Sequence, residues 1–252
     1  MEILSPQHWK DYELIDCGND EKLERFGPYI TIRPEPQAVW KRAMPYEKWE
    51  HMAHVKFIPD SSSQGTWKKL KQMPDQWKIS YDELNIKFRL GLTKFKHVGI
   101  FPEQAANWDY IYKCIKQMKT PEPKVLNMFA YTGGASLAAK AAGADVIHLD
   151  AIKQVVSWGK ENMEMFYKSR VPFCIPRTIT KGQLRTSGHF PIYKSYSLDT
   201  FIEMLDDTIT DKHILIDIAN GHMKKLYLAL DKLTERRLLN GASIMIGNIA
   251  NP

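Results

Sequence analysis

Residues 124–150, KVLNMFAYTGGASLAAKAAGADVIHLD, constrain this chain more than any other stretch. A short apolar run, residues 125–130, leads at once into Thr132-Gly133-Gly134 and then into an alanine-rich segment of helical character. Gly143 is placed to stop that helix, residues 146–149 form a second apolar run, and Asp150 stands at its carboxyl end. The order strand, glycine turn, helix, strand, acid is half of a nucleotide-binding βαβ unit. Glycines at the first turn allow close backbone approach to a ligand, and a carboxylate closing the second strand can accept hydrogen bonds from ribose hydroxyls.

The turn reads A-Y-T-G-G-A-S, not G-x-G-x-x-G, with Tyr131 and Thr132 where a pyrophosphate loop needs bare backbone. A nucleoside without phosphates fits better than a dinucleotide. S-adenosylmethionine (AdoMet) has a ribose, an adenine and a charged amino-acid tail, and no phosphate.

At these residues a family resemblance appears. N-M-F-A-Y-T-G-G-A-S, followed by H-L-D-A-I-K-Q-V-V-S-W-G-K-E-N-M, resembles the class I AdoMet-dependent methyltransferases related to bacterial large-subunit ribosomal RNA methyltransferases, over about residues 1–165. The resemblance implies an α/β fold, a Rossmann-like methyltransferase core with a β-rich N-terminal region. It implies that Ala130, Tyr131, Thr132, Gly133, Gly134 and Ala135 cradle the methionine part of AdoMet, and that Asp150, with Ala151 beside it, holds the ribose. Phe101, Gln104 and Trp108, around a helix that Pro102 and Glu103 open and that runs to about Met118, are expected to line the same pocket. His97 reads as a turn residue, and Trp158, with Val155 and Met163, as core.

Composition agrees with a globular protein. Of 252 residues, 44% are hydrophobic and 25% charged, enough for a sizeable core. No apolar run reaches the length of a membrane span, and the first residues lack a secretory signal, so a cytoplasmic protein with no membrane association is expected. Cys17, Cys114 and Cys174 are widely spaced and suggest neither a disulfide framework nor a metal site; each reads as a small buried residue. No metal is expected. A net charge of +6 suits an RNA partner.

Three regions are expected: a β-rich region at 1–93, an AdoMet-binding half at 94–165, and an α/β segment at 166–252. Residues 26–33 and 76–92 read as strands, and Trp67-Lys68-Lys69, with Lys71, as a segment that could grip phosphate and stack on a base, or as a solvated loop edge.

Beyond residue 165 the resemblance changes. The Asp-Pro-Pro or Asn-Pro-Pro that borders the acceptor base in the family is missing from the sequence. HILIDIAN at 213–220 and SIMIGN at 243–248 resemble two strands of the GMP reductase and IMP dehydrogenase barrel. That change favours a foreign barrel fragment packed as α/β, although too few residues remain for a barrel of about 250 residues. In the competing reading the segment completes the Rossmann-like sheet. Residues 173–175 would then be the third strand, 198–201 with Asp199 the adenine turn, 214–217 the fourth strand and 244–246 the fifth.

The expected function is AdoMet-dependent methyl transfer with RNA, ribosomal RNA in particular, as substrate class. Asp217 is the one acceptor-side candidate, and the alternatives are a non-catalytic nucleotide- or RNA-binding module and a fragment of a GMP reductase or IMP dehydrogenase-type barrel. Without the prolines, and with two of seven sheet strands missing, this reading expects AdoMet binding without turnover and an exposed, aggregation-prone sheet edge.

Overall fold

The computed structural model describes residues 9–61, 64–119, 121, 123–170, 192–194, 214–219 and 243–247. The chain divides into two compact units, Pro6–Pro102 and a second that begins at Glu103.

In the first unit, β1 (Tyr12–Gly18), β2 (Glu21–Phe26) and β3 (Tyr29–Pro34) form an antiparallel meander. The two-residue turn between β1 and β2 uses Asn19 and Asp20, both at positive φ (52° and 61°), the geometry that matches strand twist in a tight hairpin. Helix α1 (Tyr46–Met52) follows, then β4 (Val55–Pro59), parallel to β3, and the edge strand β5 (Gly65–Lys69). A separate hairpin joins β6 (Gln76–Tyr81) to β7 (Ile86–Gly91). The strands expected at 26–33 and 76–92 are both present.

Leu23, Ile32, Trp49 and Ala53 make one core cluster between strands and helix. The Asp16 carboxylate fastens the loop before α1: it accepts the amides of Ala43 (3.1 Å) and Met44 (2.9 Å) and the Trp49 indole N–H (2.9 Å). Glu24 and Arg33, both almost fully buried, form an ion pair of 2.6 Å across β2 and β3.

The second unit begins with α2 (Ala105–Gln117), close to the helix expected from 102 to about 118. It continues with β8 (Lys124–Met128), α3 (Gly134–Ala141), β9 (Asp145–Leu149), α4 (Lys153–Arg170), β10 (Ile192–Lys194), β11 (Ile214–Ala219) and β12 (Ser243–Gly247). The strands form one parallel sheet in the order β10-β9-β8-β11-β12. Helix α3 stops as its sequence suggests. Gly143 takes φ 103°, and the amides of Gly143 and Ala144 return to the carbonyls of Lys140 and Ala139, capping the last turn. Ile111 and Ile115 of α2, Ala139 and Ala142 at the end of α3, and Val125 and Val146 from the sheet share one core cluster.

This sheet corrects the reading of 166–252 as a foreign barrel fragment. Beside β12, strand β11 has a second neighbour, β8, with Ile214 to Ile218 in register against Lys124 to Met128. The described strands of the segment therefore belong to the same sheet; local β-α-β patterning is common to both folds, and only the pairing partner distinguishes them. The fourth strand extends two residues past Asp217. The third position, beside β9, is held by Ile192–Lys194. The strand expected at 173–175 lies outside the described residues, as do Cys174 and the adenine turn around Asp199.

Candidate cofactor site

The sheet order reverses direction between β8 and β11, and in open α/β sheets the crevice beyond the carboxyl ends of the strands at such a point is where ligands bind. The turn that leaves β8 lies there. Phe129 (φ 56°), Tyr131 (φ 51°) and Gly133 (φ 95°) all adopt left-handed backbone, which is costly for the two aromatic residues and must be held by its surroundings.

Hydrogen bonds within the turn and to neighbouring elements hold it. The Ala130 amide donates to the Leu149 carbonyl and the Gly133 amide to the Ala130 carbonyl, each at 3.0 Å. The Tyr131 amide donates to Oδ2 of Asp150 at 3.0 Å. The Thr132 carbonyl accepts from Nδ2 of Asn162 on α4 at 2.9 Å. Asp150, half-buried, also accepts the Ile152 amide on Oδ1 at 2.9 Å. Each oxygen keeps a second lone pair for a ligand hydroxyl.

The two glycines serve different purposes. Gly133 supplies the left-handed conformation. Gly134 has ordinary backbone, but a Cβ there would lie 2.5 Å from the Trp108 ring, so glycine lets α3 begin against that indole. Trp108 meets Gly134 while Ile111 and Ile115 share a cluster with Ala139 and Ala142, so α2 and α3 run parallel. Gln104, one helical turn before Trp108, therefore lies level with the turn. It is buried; its Oε1 accepts from Asn107 at 2.8 Å, while Nε2 has no hydrogen-bond partner among the described residues.

Polar side chains that the sequence reading missed underlie the turn. Asn127 Nδ2 donates to Ser136 Oγ at 2.8 Å, and Ser136 Oγ lies 3.0 Å from Nδ1 of His148. Asn127, Ser136, His148 and Asn162 are each at most 2% exposed. Burial pushes the His148 pKa down to about 3, against a smaller opposing effect from the Tyr131 backbone, so the ring is neutral. The available signal was a polar residue at an inward position of each apolar strand, Asn127 and His148.

The other expected residues are distributed as follows. Ala130, Tyr131, Thr132, Gly133, Gly134 and Asp150 come together at the turn, and Ala151 is exposed beside it. Ala135 packs against the cluster of Ile111 and Ile115. Phe101 belongs to the first unit, its ring 4.9 Å from that of His97. His97 is more than a turn residue: burial, then Arg33, Lys96 and Lys22, lower its pKa to about 4. Trp158 and Met163 are core and Val155 is half-buried, while Cys17 and Cys114 are half-buried thiols. Asp217 is the register partner of Asn127, one position before Ile218, which is level with Met128 and Leu149.

The Trp67 segment is largely committed to the first unit. Trp67 packs edge-on against Phe57 (5.1 Å), Lys69 pairs with Asp75 (2.7 Å), and Lys71 donates to the carbonyls of His51 and Met52. Among the described residues no group of three His, Cys, Asp or Glu is placed to hold a metal ion, and no helix is long and apolar enough to cross a membrane.

The chain is similar to known proteins over much of its length. The chain is 28% identical over 171 residues to the ribosomal RNA large subunit methyltransferase K/L of Shewanella frigidimarina, and 32% identical over 182 residues to that of Pseudoalteromonas atlantica. These alignments cover 61% and 64% of this chain, which spans only 23% and 25% of those relatives. A SAM-dependent methyltransferase from Agrobacterium tumefaciens superposes with a TM-score of 0.73 at 30% identity, covering 96% of this chain and 74% of that one. A methyltransferase-fold structure from Streptococcus mutans, at 15% identity and a TM-score of 0.60, shares the fold over 94% of this chain and 60% of its own. Neither coverage nor family supports the GMP reductase resemblance, since likeness to methyltransferases runs well past residue 165. Residues 31–193 match the S-adenosylmethionine-dependent methyltransferase family, and the chain belongs to that family.

Proposed function

We propose that the turn at 129–135 and Asp150 hold AdoMet, and that the protein directs its methyl group to a base in RNA. The carrying observation is the bond from the Tyr131 amide to Asp150, which joins the left-handed turn after β8 to the acid that closes β9. The site's chemistry suits AdoMet. Asp150 has lone pairs left for ribose hydroxyls, and Gln104 has a buried amide nitrogen without a partner among the described residues. The first amides of α3, at Gly134 and Ala135, lack intrahelical acceptors and suit the carboxylate of the methionine part.

AdoMet, when bound, supplies a methyl group on a positively charged sulfur. The protein's task is then alignment of donor and acceptor with water kept out, and no metal is needed. On the acceptor side the candidate is Asp217, which would accept the proton that the base loses. Its register with Asn127 sets it two steps down the sheet from Asp150, about 7 Å along the strand direction. Ile218 and Ala219 continue β11 as ladder residues, where the family resemblance would imply a rigid proline turn. Transfer is therefore expected to be slow, since a misplacement of about 1 Å can cost a hundredfold. An RNA acceptor is supported by the net charge of +6 and by the ribosomal RNA methyltransferases among the relatives. Incubation of the purified protein with isotopically methyl-labelled AdoMet and ribosomal RNA tests the reading. Slow incorporation that Asp217→Asn reduces further is expected; label retained by AdoMet with no RNA product would leave the protein as a binding module.

A further inference from the structure

The left-handed turn proposed to receive AdoMet has to be held in place, and two buried side chains, Asn162 and His148, lie against it. Asn162 of α4 donates to the Thr132 carbonyl at 2.9 Å. His148 of β9 is fixed at Nδ1 by Ser136 (3.0 Å), which is in turn bound by Asn127 (2.8 Å), and its Cε1 lies 3.4 Å from where a Cβ on Gly133 would stand, against the same turn. The space for the imidazole exists because residue 159 is glycine. A Cβ on Gly159 would come within 3.0 Å of His148 Cε1, 3.1 Å of Nε2 and 3.5 Å of the Thr132 carbonyl carbon. Gly159 therefore lets α4 come close enough for Asn162, one turn later, to reach the turn.

We propose that His148 and Asn162, with Gly159 as the gap that seats the ring, are positioning residues that hold the Tyr131–Thr132 peptide in its AdoMet-receiving conformation. This rests on the assignment of AdoMet to that turn. Neither side chain is asked to touch the ligand. The Tyr131 amide on Asp150 and the Thr132 carbonyl on Asn162 belong to one turn, so releasing the Thr132 carbonyl or displacing the imidazole should loosen the turn and its bond to the acid together.

Gly159→Ala is the discriminating variant, because alanine in a helix interior is favoured over glycine by about 1 kcal/mol and the substitution removes no hydrogen-bonding group while crowding the imidazole. It is read beside Asn162→Ala and Asn162→Asp, the latter keeping shape while losing the donor. AdoMet affinity by calorimetry, melting temperature, and the ligand-free amide NMR shifts of Tyr131, Gly133 and Gly134 are measured for each. The expected result is AdoMet affinity weakened by about tenfold or more in all three variants. The turn amides should shift before ligand is added, and Gly159→Ala should keep a melting temperature near that of the parent. If the parent binds AdoMet while folded Gly159→Ala and Asn162→Asp bind it equally well with unmoved amides, the positioning role is wrong and the site stands. A Gly159→Ala protein that fails to fold also overturns the proposal, making the cluster a folding element. If the parent itself does not bind AdoMet, the site assignment falls.

Discussion

The Tyr131 amide donates to the Asp150 carboxylate at 3.0 Å, so one acid both braces the glycine turn and closes the strand beside it. Its other oxygen takes the Ile152 amide. Asp150→Ala should therefore lose on two counts. AdoMet affinity should fall by about 1.5–3 kcal/mol, the range for hydrogen bonds to a charged group, or roughly ten- to over a hundredfold. Unfolding stability should fall as well, because two backbone donors lose their acceptor. Calorimetry and urea denaturation on the same protein check both; an unchanged AdoMet affinity in folded Asp150→Ala would move the ligand away from this acid.

The two glycines of the turn should respond differently to alanine. Gly134→Ala places a methyl against the Trp108 ring and should cost about 1–3 kcal/mol by overpacking, partly recovered when Trp108→Leu is combined with it. Gly133→Ala suffers backbone strain of about 1–2 kcal/mol, which no change at Trp108 relieves. A denaturation series with the double variants separates the two; equal rescue of both by Trp108→Leu would contradict the geometry.

Two histidines make stability depend on mild acid. Burial, aided by Arg33, Lys96 and Lys22, lowers His97 to about 4, and burial lowers His148 to about 3, against about 6.5 in an unfolded chain. The fold favours the neutral rings. Their contribution is whole above pH about 6.5 and declines as pH falls toward the folded values, by about 1.4 kcal/mol per pH unit for each ring. His97→Gln should reduce the slope of unfolding free energy between pH 6.5 and 5 by about that amount, a window above the carboxylate range. An unaltered slope would mean that His97 is solvated.

The nucleotide-binding half was legible because each step was written locally: apolar run, glycine turn, alanine-rich helix, Gly143 stop, terminal Asp150. The second half was not. HILIDIAN specifies a buried parallel strand without saying which strand lies beside it, and only the register of Ile214–Ile218 against Lys124–Met128 places it in this sheet. Ile192–Lys194 is three residues long and carries no period, so nothing distinguished it from a loop. The cluster of Asn127, Ser136, His148 and Asn162 escaped notice because its members come from four elements, two strands and two helices, and each looks ordinary alone.

The basic segment after residue 65 offers a narrower prediction than its composition suggested. RNA affinity should fall with salt as counterions are released, and Lys68→Ala should reduce the slope of log K against log salt by about 1. Lys69→Ala should leave it nearly unchanged, since Lys69 is already paired with Asp75. Filter binding across a salt series measures this. Equal slopes for Lys68→Ala and the parent would make Lys68 a bystander.

The central claim is that the turn between β8 and α3, closed by Asp150, is a working AdoMet site. Calorimetric titration of the intact protein with AdoMet tests it most directly. The account predicts one site per chain with a dissociation constant tighter than about 1 mM, equivalent to more than about 4 kcal/mol of binding, and loss of most of that heat in Asp150→Ala. No measurable binding at about 1 mM AdoMet, or binding that Asp150→Ala leaves intact, would contradict it.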